Sequence, residues 1–407
     1  RHQCQASSNA RRLSIEVKKM KRRDFINFAA TTALFALSPF SISARPNSKI
    51  LILIELQGAN DGLNTVIPTK DNGYYKLRPN IAIPKKDILG IDTNYGLHFS
   101  LKGLADLCGS GDCSIIQNLG YPNPILSHFR SIELWERGGD GKQNGREGWL
   151  NATLEALADK SSLDAKAMNL DNVGTVFAGG TDGYLGPNAI GYRPVEAESR
   201  DTTVPLPNNI EMGLLGNLQK MRVENEIKIS RLQAKISKAK SSVFVGRGEL
   251  GNQLSKVCQL IMAGVEIPVF KVSIGSFDTH IEQFWKHRNL LRDLDKSISD
   301  TVRTLKEIGV WNDTIIMTYS EFGRRAKENG SRGTDHGMAA PHFVLGGKIS
   351  GAVYGEENVL NSVADSNLRF SIDYRSLYNE ILSKHFGFQD NQFVTYKDKT
   401  LDGLFST

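Results

Sequence analysis

Cysteine is scarce in this sequence, with four cysteines in 407 residues. This content excludes a small scaffold held together by disulfides, and 40% hydrophobic residues are enough for a large core. Cys108 and Cys113 flank a tight GSGD loop that could close by a disulfide in an oxidising compartment. A zinc pair is less favoured, because no second cysteine pair accompanies them.

The whole sequence has a formal net charge of +6, but residues 45–407, the body of the chain, carry no net charge. Residues 1–44 contain eight Lys/Arg and two acidic residues, which leaves 42 bases and 42 acids in the remainder. A neutral body gives no electrostatic footprint for DNA or RNA. We therefore expect no nucleic-acid partner.

Long apolar runs are also lacking, apart from a short one at residues 25–44. The KRRDF motif at residues 21–25 precedes this run and resembles a twin-arginine export signal. We expect residues 1–44 to be a leader and signal peptide, with Met20 as the start and cleavage after Ala44. The mature protein would then be periplasmic or secreted, with the twin-arginine translocase as its partner during export. An uncleaved amphipathic tail or anchor is the alternative, and we expect no stable membrane span.

Apolar strands alternate with amphipathic helices along residues 45–407, which we take as one domain. Five segments are predicted to be strands: 49–62, 113–121, 267–280, 314–323 and 342–347. Helical spacing between residues 285 and 310 is kept by Leu291, Leu294, Ile298, Val302, Leu305 and Ile308. This alternation predicts an α/β fold with a mostly parallel central sheet and helices on both faces. Residues at about 181–250 are expected to form a loop and helix insertion, or else a short coiled-coil contact.

Histidine is scarce as well, and half of the eight histidines lie in short polar clusters. The clusters contain His128 (SHF), Asp278 and His280 (DTH), and Asp335, His336 and His342 (GTDHGMAAPH). Two clusters follow predicted strands, at the sheet edge where α/β proteins form their sites. Mixed Asp/His ligation suits zinc or manganese, whereas oxygen-rich ligation favours calcium or magnesium. We interpret the clusters as a metal site, with ordinary polar loop networks as the alternative.

Four further residues have both a structural and a functional interpretation. Asp61 lies in a good turn sequence, Asn-Asp-Gly, but also ends the first strand. Ser127 is either a helix N-cap or a nucleophile at a helix N-terminus, where an anionic substrate is favoured. Glu321 either begins a solvated turn or presents a ligand at the carboxyl edge of the sheet. Arg324 is either a solvated loop residue or a bidentate contact to a phosphate or sulfate group.

Several motifs together resemble a known family. After the twin-arginine leader come LQGANDGLN, SHFRSIELWE, FDTH, YSEFGRR and GTDHGMAAPHFVLGG. Over about residues 20–390 they resemble, in this order, the bacterial domain-of-unknown-function family 1501. That family is placed with the alkaline phosphatase and sulfatase superfamily. The resemblance implies an alkaline phosphatase-like α/β sandwich, one or two divalent metals, and a nucleophile that attacks a phosphate or sulfate ester.

The resemblance also implies roles for individual residues. The metal ligands would be Asp61, Asp278, His280, Glu321, Asp335 and His336. The catalytic residues would be Ser127 as nucleophile, His342 as a ligand or transition-state hydrogen-bond donor, and Arg324. Zinc is the expected metal, with manganese, calcium or magnesium as alternatives.

Three features depart from the superfamily pattern. Phe322 stands where a metal-binding histidine is usual, which predicts a weak or absent metal beside the nucleophile. The spacing of Asp278 and His280 is tighter than usual. The SHFRS segment lacks the Cys/Ser-x-Pro-x-Arg pattern for formylglycine formation, which argues against an ordinary sulfatase.

The sequence thus predicts an exported metal-dependent hydrolase of phosphate or sulfate esters. Its substrate would be a small-molecule or polymer-borne anionic ester. The alternative is a non-catalytic exported protein of the same fold that binds a metal or a surface or matrix partner.

Overall fold

The computed structural model describes residues 49–388 and 401–406, except for positions 143–144, 146, 159–162, 172–173, 181–182, 187–215, 217–226, 238–242 and 357–358. The leader and signal predicted at residues 1–44 lie outside the described residues, as does most of the insertion predicted at 181–250. Within the described part of the chain, none of the helices combines the length and the apolar character needed to cross a bilayer.

The secondary structure alternates strands and helices. The strands are β1 (Ile50–Leu56), β2 (Val66–Pro68), β3 (Leu89–Gly90), β4 (Tyr95–Leu97), β5 (Cys113–Gly120), β6 (Ala167–Asn169), β7 (Tyr184–Leu185), β8 (Val269–Ile274), β9 (Thr314–Tyr319), β10 (Gly323–Arg324), β11 (His336–Gly337), β12 (Ala340–Gly346), β13 (Val353–Tyr354), β14 (Val363–Ala364), β15 (Asn367–Leu368) and β16 (Ile372–Asp373). The α-helices are α1 (Gly62–Thr65), α2 (Gly73–Leu77), α3 (Lys102–Gly109), α4 (His128–Arg137), α5 (Asn151–Ala158), α6 (Gly248–Met262), α7 (Gln283–Ile308) and α8 (Tyr374–Glu380). Residues 227–237 are also helical. A π-helix, Ile381–His385, continues α8.

The described residues form a nine-stranded central sheet with the order β13-β5-β12-β9-β1-β8-β6-β7, and β16 also pairs with β5. Strand β1 pairs in parallel with both β8 and β9. Strand β12 pairs antiparallel with both β5 and β9, while the other pairs of this sheet are parallel. The predicted α/β class with a mostly parallel sheet is confirmed. The five predicted strand segments correspond to β1, β5, β8, β9 and β12.

Apolar side chains cover both faces of the sheet. Helices α3, α6 and α7 pack on the face to which Ile52 and Ile54 of β1 point. Helices α4, α5 and α8 pack on the face to which Leu51 and Leu53 point. Because side chains alternate along a strand, a strand buried on both faces is apolar at consecutive positions, which explains the continuous run that predicted β1. Helices on both faces are therefore confirmed.

The carboxyl ends of β1, β5, β8 and β9 meet at one edge of the sheet, because these strands run in the same direction. Residues 57–61, 121–127, 275–282 and 320–325 leave the sheet there. Strand β12 runs the opposite way and starts at this edge, so residues 335–339 lie there too. This edge collects the segments of the predicted site.

The cysteines of the GSGD loop lie at the opposite edge of the sheet. Cys108 is near the end of α3 and Cys113 begins β5, and both are free thiols, as is Cys258. Cys113 and Cys258 are buried in the core. The two loop thiols are therefore not joined in this structure.

His342 lies inside the core rather than at the sheet edge. It is the third residue of β12, pairs with Ile116 of β5, and its ring packs edge-on against Trp135 at a centroid distance of 5.6 Å. Its Nδ1 atom is buried without a hydrogen-bond partner. Burial lowers the pKa of His342 to about 3, so the imidazole is neutral in the folded protein.

We expect His342→Phe to make the protein less sensitive to acid. The unfolded chain binds a proton at this histidine below its ordinary pKa of 6.5, whereas the folded chain does so only near 3. Stability is therefore fully present above pH 6.5 and falls as the pH drops. The wild type should lose about 2 kcal/mol through this group between pH 6.5 and about pH 5, and the variant should not.

Urea unfolding of both proteins at the two pH values measures this difference. At neutral pH the variant should be at least as stable as the wild type, because the phenyl ring fills the same space without an unpaired buried nitrogen. If both proteins lose the same free energy of unfolding between the two pH values, His342 is not the source of the acid sensitivity.

Candidate metal centre

Three histidines direct their Nε2 atoms at one carboxylate, that of Asp278. His280 Nε2 lies 2.9 Å and His336 Nε2 lies 3.3 Å from Asp278 Oδ1. His128 Nε2 lies 3.7 Å from Asp278 Oδ2. Ligand atoms of His128, Asp278 and His336 all lie within 4.8 Å of one another. These four side chains converge at the carboxyl edge of the sheet and are partly open to solvent.

The Nδ1 atom of each of these histidines faces an acceptor. The contacts are His128 Nδ1 to Glu321 Oε1 (2.6 Å), His336 Nδ1 to the carbonyl oxygen of Leu126 (3.1 Å) and His280 Nδ1 to Asp335 Oδ1 (3.4 Å). An acceptor at Nδ1 places the proton there and leaves the lone pair on Nε2. Carboxylates and carbonyls commonly orient metal-binding histidines in this way. Glu321 and Asp335, predicted as ligands, lie where they orient two of the imidazoles.

The spacing of the nitrogen atoms fits a cation. His280 Nε2 and His336 Nε2 lie 3.1 Å apart, and if both histidines carry their proton on Nδ1, the two lone pairs repel unless positive charge lies near them. Arg324 Nη1, 3.4 Å from His280 Nε2, supplies part of that charge. Three imidazole nitrogens and one carboxylate form a ligand set that suits zinc. His128, Asp278 and His336 therefore lie close enough together to hold one divalent metal, and His280 lies beside them.

The local sequence explains how these groups meet. Asp278 and His280 follow β8, and a tight turn in which the Thr279 N–H donates to the Phe277 carbonyl separates them. His128 is the first residue of α4, and His336 pairs with Arg324 in the short β10–β11 ribbon. The N–H of Gly58 donates to Glu321 Oε1 at 2.8 Å. A Cβ at Gly58 would lie 2.5 Å from the Asp278 nitrogen, and its φ of +100° also requires glycine.

The site holds its carboxylates in the charged form. Burial alone would raise the pKa of Glu321, but hydrogen bonds from His128, Ser320 and Gly58 outweigh it and lower that pKa. Burial likewise opposes ionisation of Asp278, and the hydrogen bond and charge of Arg324 prevail and lower its pKa. The hydrogen bond to Glu321 is the main reason why the pKa of His128 is raised, against the effect of burial.

Arg324 is buried beneath the cluster and does not form a free anion-binding fork. Its guanidinium donates to the carbonyl oxygens of Gly58, Ala59, Phe277 and Thr334 and to Asp278 Oδ1. The side chain is 0% exposed, whereas that of Asp278 is 45% exposed. Arg324 thus joins the segments that follow β1 and β8 to the one that precedes β11. The neighbouring Arg325 is the exposed one of the two.

Phe322 packs against two of the converging histidines. Its ring centroid lies 4.9 Å from that of His128 and 4.7 Å from that of His336. The side chain is buried. Phe322 therefore forms an apolar wall beside the cluster and cannot supply a ligand there.

Asp61 is separated from the cluster by its own ion pair. Its Oδ2 atom accepts from Arg78 Nη1 at 2.6 Å and also from Gln283, and both charged side chains are 0% exposed. Burial would raise the pKa of Asp61, but Arg78 outweighs it and lowers that pKa. The Oδ1 atom is buried without a partner. Asp61 is thus committed to the guanidinium of Arg78, and a second metal beside it would have to compete with that charge.

Ser127 occupies the N-cap position of α4, immediately before His128. Its side chain makes no capping hydrogen bond and is exposed. Ser127 therefore has the position of a helix cap but not its side-chain hydrogen bond. Its side chain is exposed at the start of a ten-residue helix. Sequence reasoning noted His128 in the same SHF cluster but did not assign it. The signal available was its place at the start of a helix that follows a central strand.

Comparison with known families confirms the resemblance to family 1501. Residues 114–402 match the family described as a protein of unknown function (DUF1501). The chain belongs to this family. No curated protein matches the DUF1501 chain.

Solved structures similar to the DUF1501 chain include three bacterial proteins of 10% to 13% identity. An alkaline phosphatase superfamily protein from Vibrio parahaemolyticus is 12% identical, with 94% of this chain and 79% of that chain covered and a TM-score of 0.39. A phosphonate monoester hydrolase from Silicibacter pomeroyi is 10% identical, with 88% and 77% covered and a TM-score of 0.40. A sulfatase from Pseudoalteromonas sp. is 13% identical, with 95% and 76% covered and a TM-score of 0.38. This likeness concerns the fold and not the chemistry.

We expect the DUF1501 chain to bind one zinc ion at this cluster, and Asp278→Asn to weaken binding most. Asp335→Asn, which acts through the orientation of His280, should cost about tenfold to a hundredfold in affinity. Competition with a chromophoric chelator measures both constants.

Asp313→Asn is the control for the zinc experiment, because Asp313 pairs with Lys49 beside the amino ends of β1 and β9. Its zinc affinity should equal that of the wild type. If Asp278→Asn binds zinc as tightly as the wild type does, Asp278 is not a ligand.

We expect Arg324→Lys to lower the free energy of unfolding by about 2 to 3 kcal/mol, because several buried carbonyl groups lose their donors. Arg325→Lys is the matched control and should change it by no more than about 0.5 kcal/mol, since Arg325 is exposed. Urea denaturation of the metal-free proteins tests this pair. Similar losses in both variants would contradict the clamp assigned to Arg324.

Proposed function

We propose that this protein is an exported metal-dependent hydrolase of phosphate or sulfate esters. The observation that carries the proposal is the convergence of three imidazole Nε2 atoms on Asp278, one of them from His128, which an exposed serine precedes at a helix N-terminus. The expectations from the motif resemblance point to the same chemistry.

His128, Asp278, His280 and His336 would hold the divalent metal, with zinc favoured by the three nitrogen ligands. Bound there, the metal supplies positive charge that offsets the charge of an anionic ester. Glu321 and Asp335 keep the Nδ1 protons of His128 and His280 in place. Arg324 fixes Asp278 from below, so the cluster keeps its geometry without contacts from the substrate.

Ser127 is the proposed nucleophile. Its hydroxyl oxygen would form the bond to phosphorus or sulfur as the alcohol of the ester leaves, and water would then release the anion. The free N–H groups at the start of α4 favour negative charge beside it. His342, buried against Trp135, would then contribute to the core rather than contact the transferred group.

The site would operate outside the cytoplasm. The proposal includes residues 1–44 as the export leader and the twin-arginine translocase as the partner that recognises it. The twin-arginine translocase exports folded proteins. Arg324 holds the site together without substrate, so the site could form before export. The substrate would be a small or polymer-borne anionic ester, and no nucleic acid is proposed as a partner.

A non-catalytic exported metal-binding or surface-interaction protein remains the second candidate, and two observations favour it. Phe322 supplies no ligand beside the cluster, and Asp61 is tied to Arg78. A site for one metal rather than two would bind a cation while lacking part of the charge that ester hydrolysis uses.

We expect Ser127→Ala to abolish hydrolysis of aryl phosphates or sulfates by zinc-loaded protein while zinc affinity stays unchanged. Release of nitrophenol measures the rate, and chelator competition measures the affinity. Ser110→Ala, in the exposed loop at the opposite edge of the sheet, is the matched control.

Equal rates for Ser127→Ala and the wild type would remove Ser127 from the nucleophile role. Tight zinc binding by a wild type that hydrolyses neither class of ester would favour the non-catalytic candidate.

A further inference from the structure

A second cluster of charges lies between the sheet and helix α4, away from the metal centre. Lys271, in the middle of β8, is 0% exposed, and its Nζ lies 2.7 Å from Glu55 Oε2, 3.2 Å from Glu136 Oε1 and 3.3 Å from Asp171 Oδ2. Three carboxylates thus surround one ammonium group. Neither the core nor the proposed reaction requires such a cluster, and buried charges are costly unless they are paired.

Glu136 is the member that belongs to α4. It is 1% exposed, and besides Lys271 it accepts a 3.0 Å hydrogen bond from the hydroxyl of Tyr319 and another of 3.0 Å from Thr175 Oγ1. Through Glu136 the last turn of the helix is therefore fixed to β8 and β9.

The first turn of the same helix is fixed to the segment that follows β9. His128 Nδ1 donates to the Glu321 side chain, and Ser131 Oγ donates to the Glu321 carbonyl. Tyr319 and Glu321 are two residues apart, and Glu55 is the partner of Tyr319 in the β1–β9 register. The Lys271 cluster is thus one of the attachments of the last turns of α4, beside the hydrogen bonds from Tyr374 and Tyr378 to the carbonyl groups of Leu134 and Trp135.

We propose that Lys271 and Glu55 are positioning residues that set, through Glu136, how firmly α4 holds His128 at the metal centre. This rests on the proposed metal centre for its functional meaning, but the hold on the helix can be measured without metal. When Glu55 is protonated and neutral, the Lys271 ammonium group forms ion pairs with Glu136 and Asp171 alone. Ionised Glu55 competes for that charge and repels Glu136.

The protonation state of Glu55 can change near neutral pH. Burial raises its pKa to about 7, with Lys271 opposing and the charges of Glu136 and Glu321 adding to the rise. The other groups in this cluster are Asp171, which reaches Lys271, and Tyr319, whose pKa is raised well above its ordinary range by burial and by Glu136. Because the folded protein keeps this proton more firmly than the unfolded chain does, stability falls as pH rises from 4.5 toward about 7. The hold on α4 should weaken as Glu55 of the folded protein ionises, around pH 7.

Amide hydrogen exchange of the metal-free full chain tests the proposal. In the wild type, protection of residues 128–137, corrected for the intrinsic effect of pH, should fall by about tenfold between about pH 6 and about pH 8. Glu55→Gln, which mimics the protonated carboxyl group, should show a clearly smaller fall than the wild type, because only the titration of His128 in the first turn of α4 remains. Asp313→Asn, beside the amino ends of the same two strands, is the control and should behave as the wild type.

Zinc affinity provides the second readout. It should fall with pH in the wild type more than in Glu55→Gln, and Lys271→Met should bind zinc about tenfold more weakly at every pH while its overall secondary structure is kept. If Lys271→Met does not fold, Glu55→Gln alone decides. Protection that depends on pH equally in the wild type and Glu55→Gln would overturn the proposal. A wild type that shows the exchange effect but binds no zinc would instead contradict the proposed function and leave the positioning of α4 intact.

Discussion

The buried guanidinium of Arg324 is the interaction on which the rest of the candidate site depends. The turns after β1 and β8 and the segment before β11 all end in carbonyl groups that point into one small space. Without a donor there, these groups would be buried and unpaired, and each would cost free energy. A planar group with five N–H donors can satisfy them together, which lysine cannot do. Because the same guanidinium also pairs with Asp278, one side chain both joins the loops and fixes the position of the Asp278 carboxylate.

The single strand that runs against the others matters for the same reason. Among the described strands of the central sheet, β12 is the antiparallel one, so its start lies with the ends of its neighbours. The β10–β11 ribbon can therefore connect the end of β9 to the start of β12 without crossing the sheet. His336 reaches the cluster from this ribbon, whereas Asp278 and His280 come from β8 and His128 from α4. Four side chains from three directions enclose a site more completely than residues from one loop could.

Much of this arrangement could be predicted from local patterns. The continuous apolar runs predicted β1, β8 and β9, and the helical spacing of six apolar residues predicted α7, in which each of them is buried. The motif order predicted the family. The spacing of Asp278 and His280 predicted that they meet, although a tight turn at Asp278 rather than an extended backbone brings them together.

Other features depend on contacts between distant segments and leave no local signal. Whether Arg324 is solvated or buried is decided by carbonyl groups from residues far away in the sequence, and an arginine before a loop is exposed more often than not. Asp61 forms a buried ion pair with Arg78, a residue that directly follows α2. The sequence around Asp61 gives no sign of this partner. The sequence predicts Glu321 as a carboxylate at the end of a strand. Its contact with Nδ1 of His128, rather than with Nε2, depends on where α4 lies, and the sequence does not show this. The Lys271 cluster is equally invisible, because Glu55 and Lys271 each stand alone within an apolar run.

Phe322 has a consequence beyond the loss of a ligand. The faces of His128 and His336 that pack on its ring are covered by carbon, so neither water nor an ion can reach them from that side. Whatever approaches these two imidazoles has to arrive from the other side, where Asp278 is half exposed. Phe322 therefore restricts the direction from which a ligand can reach these two imidazoles.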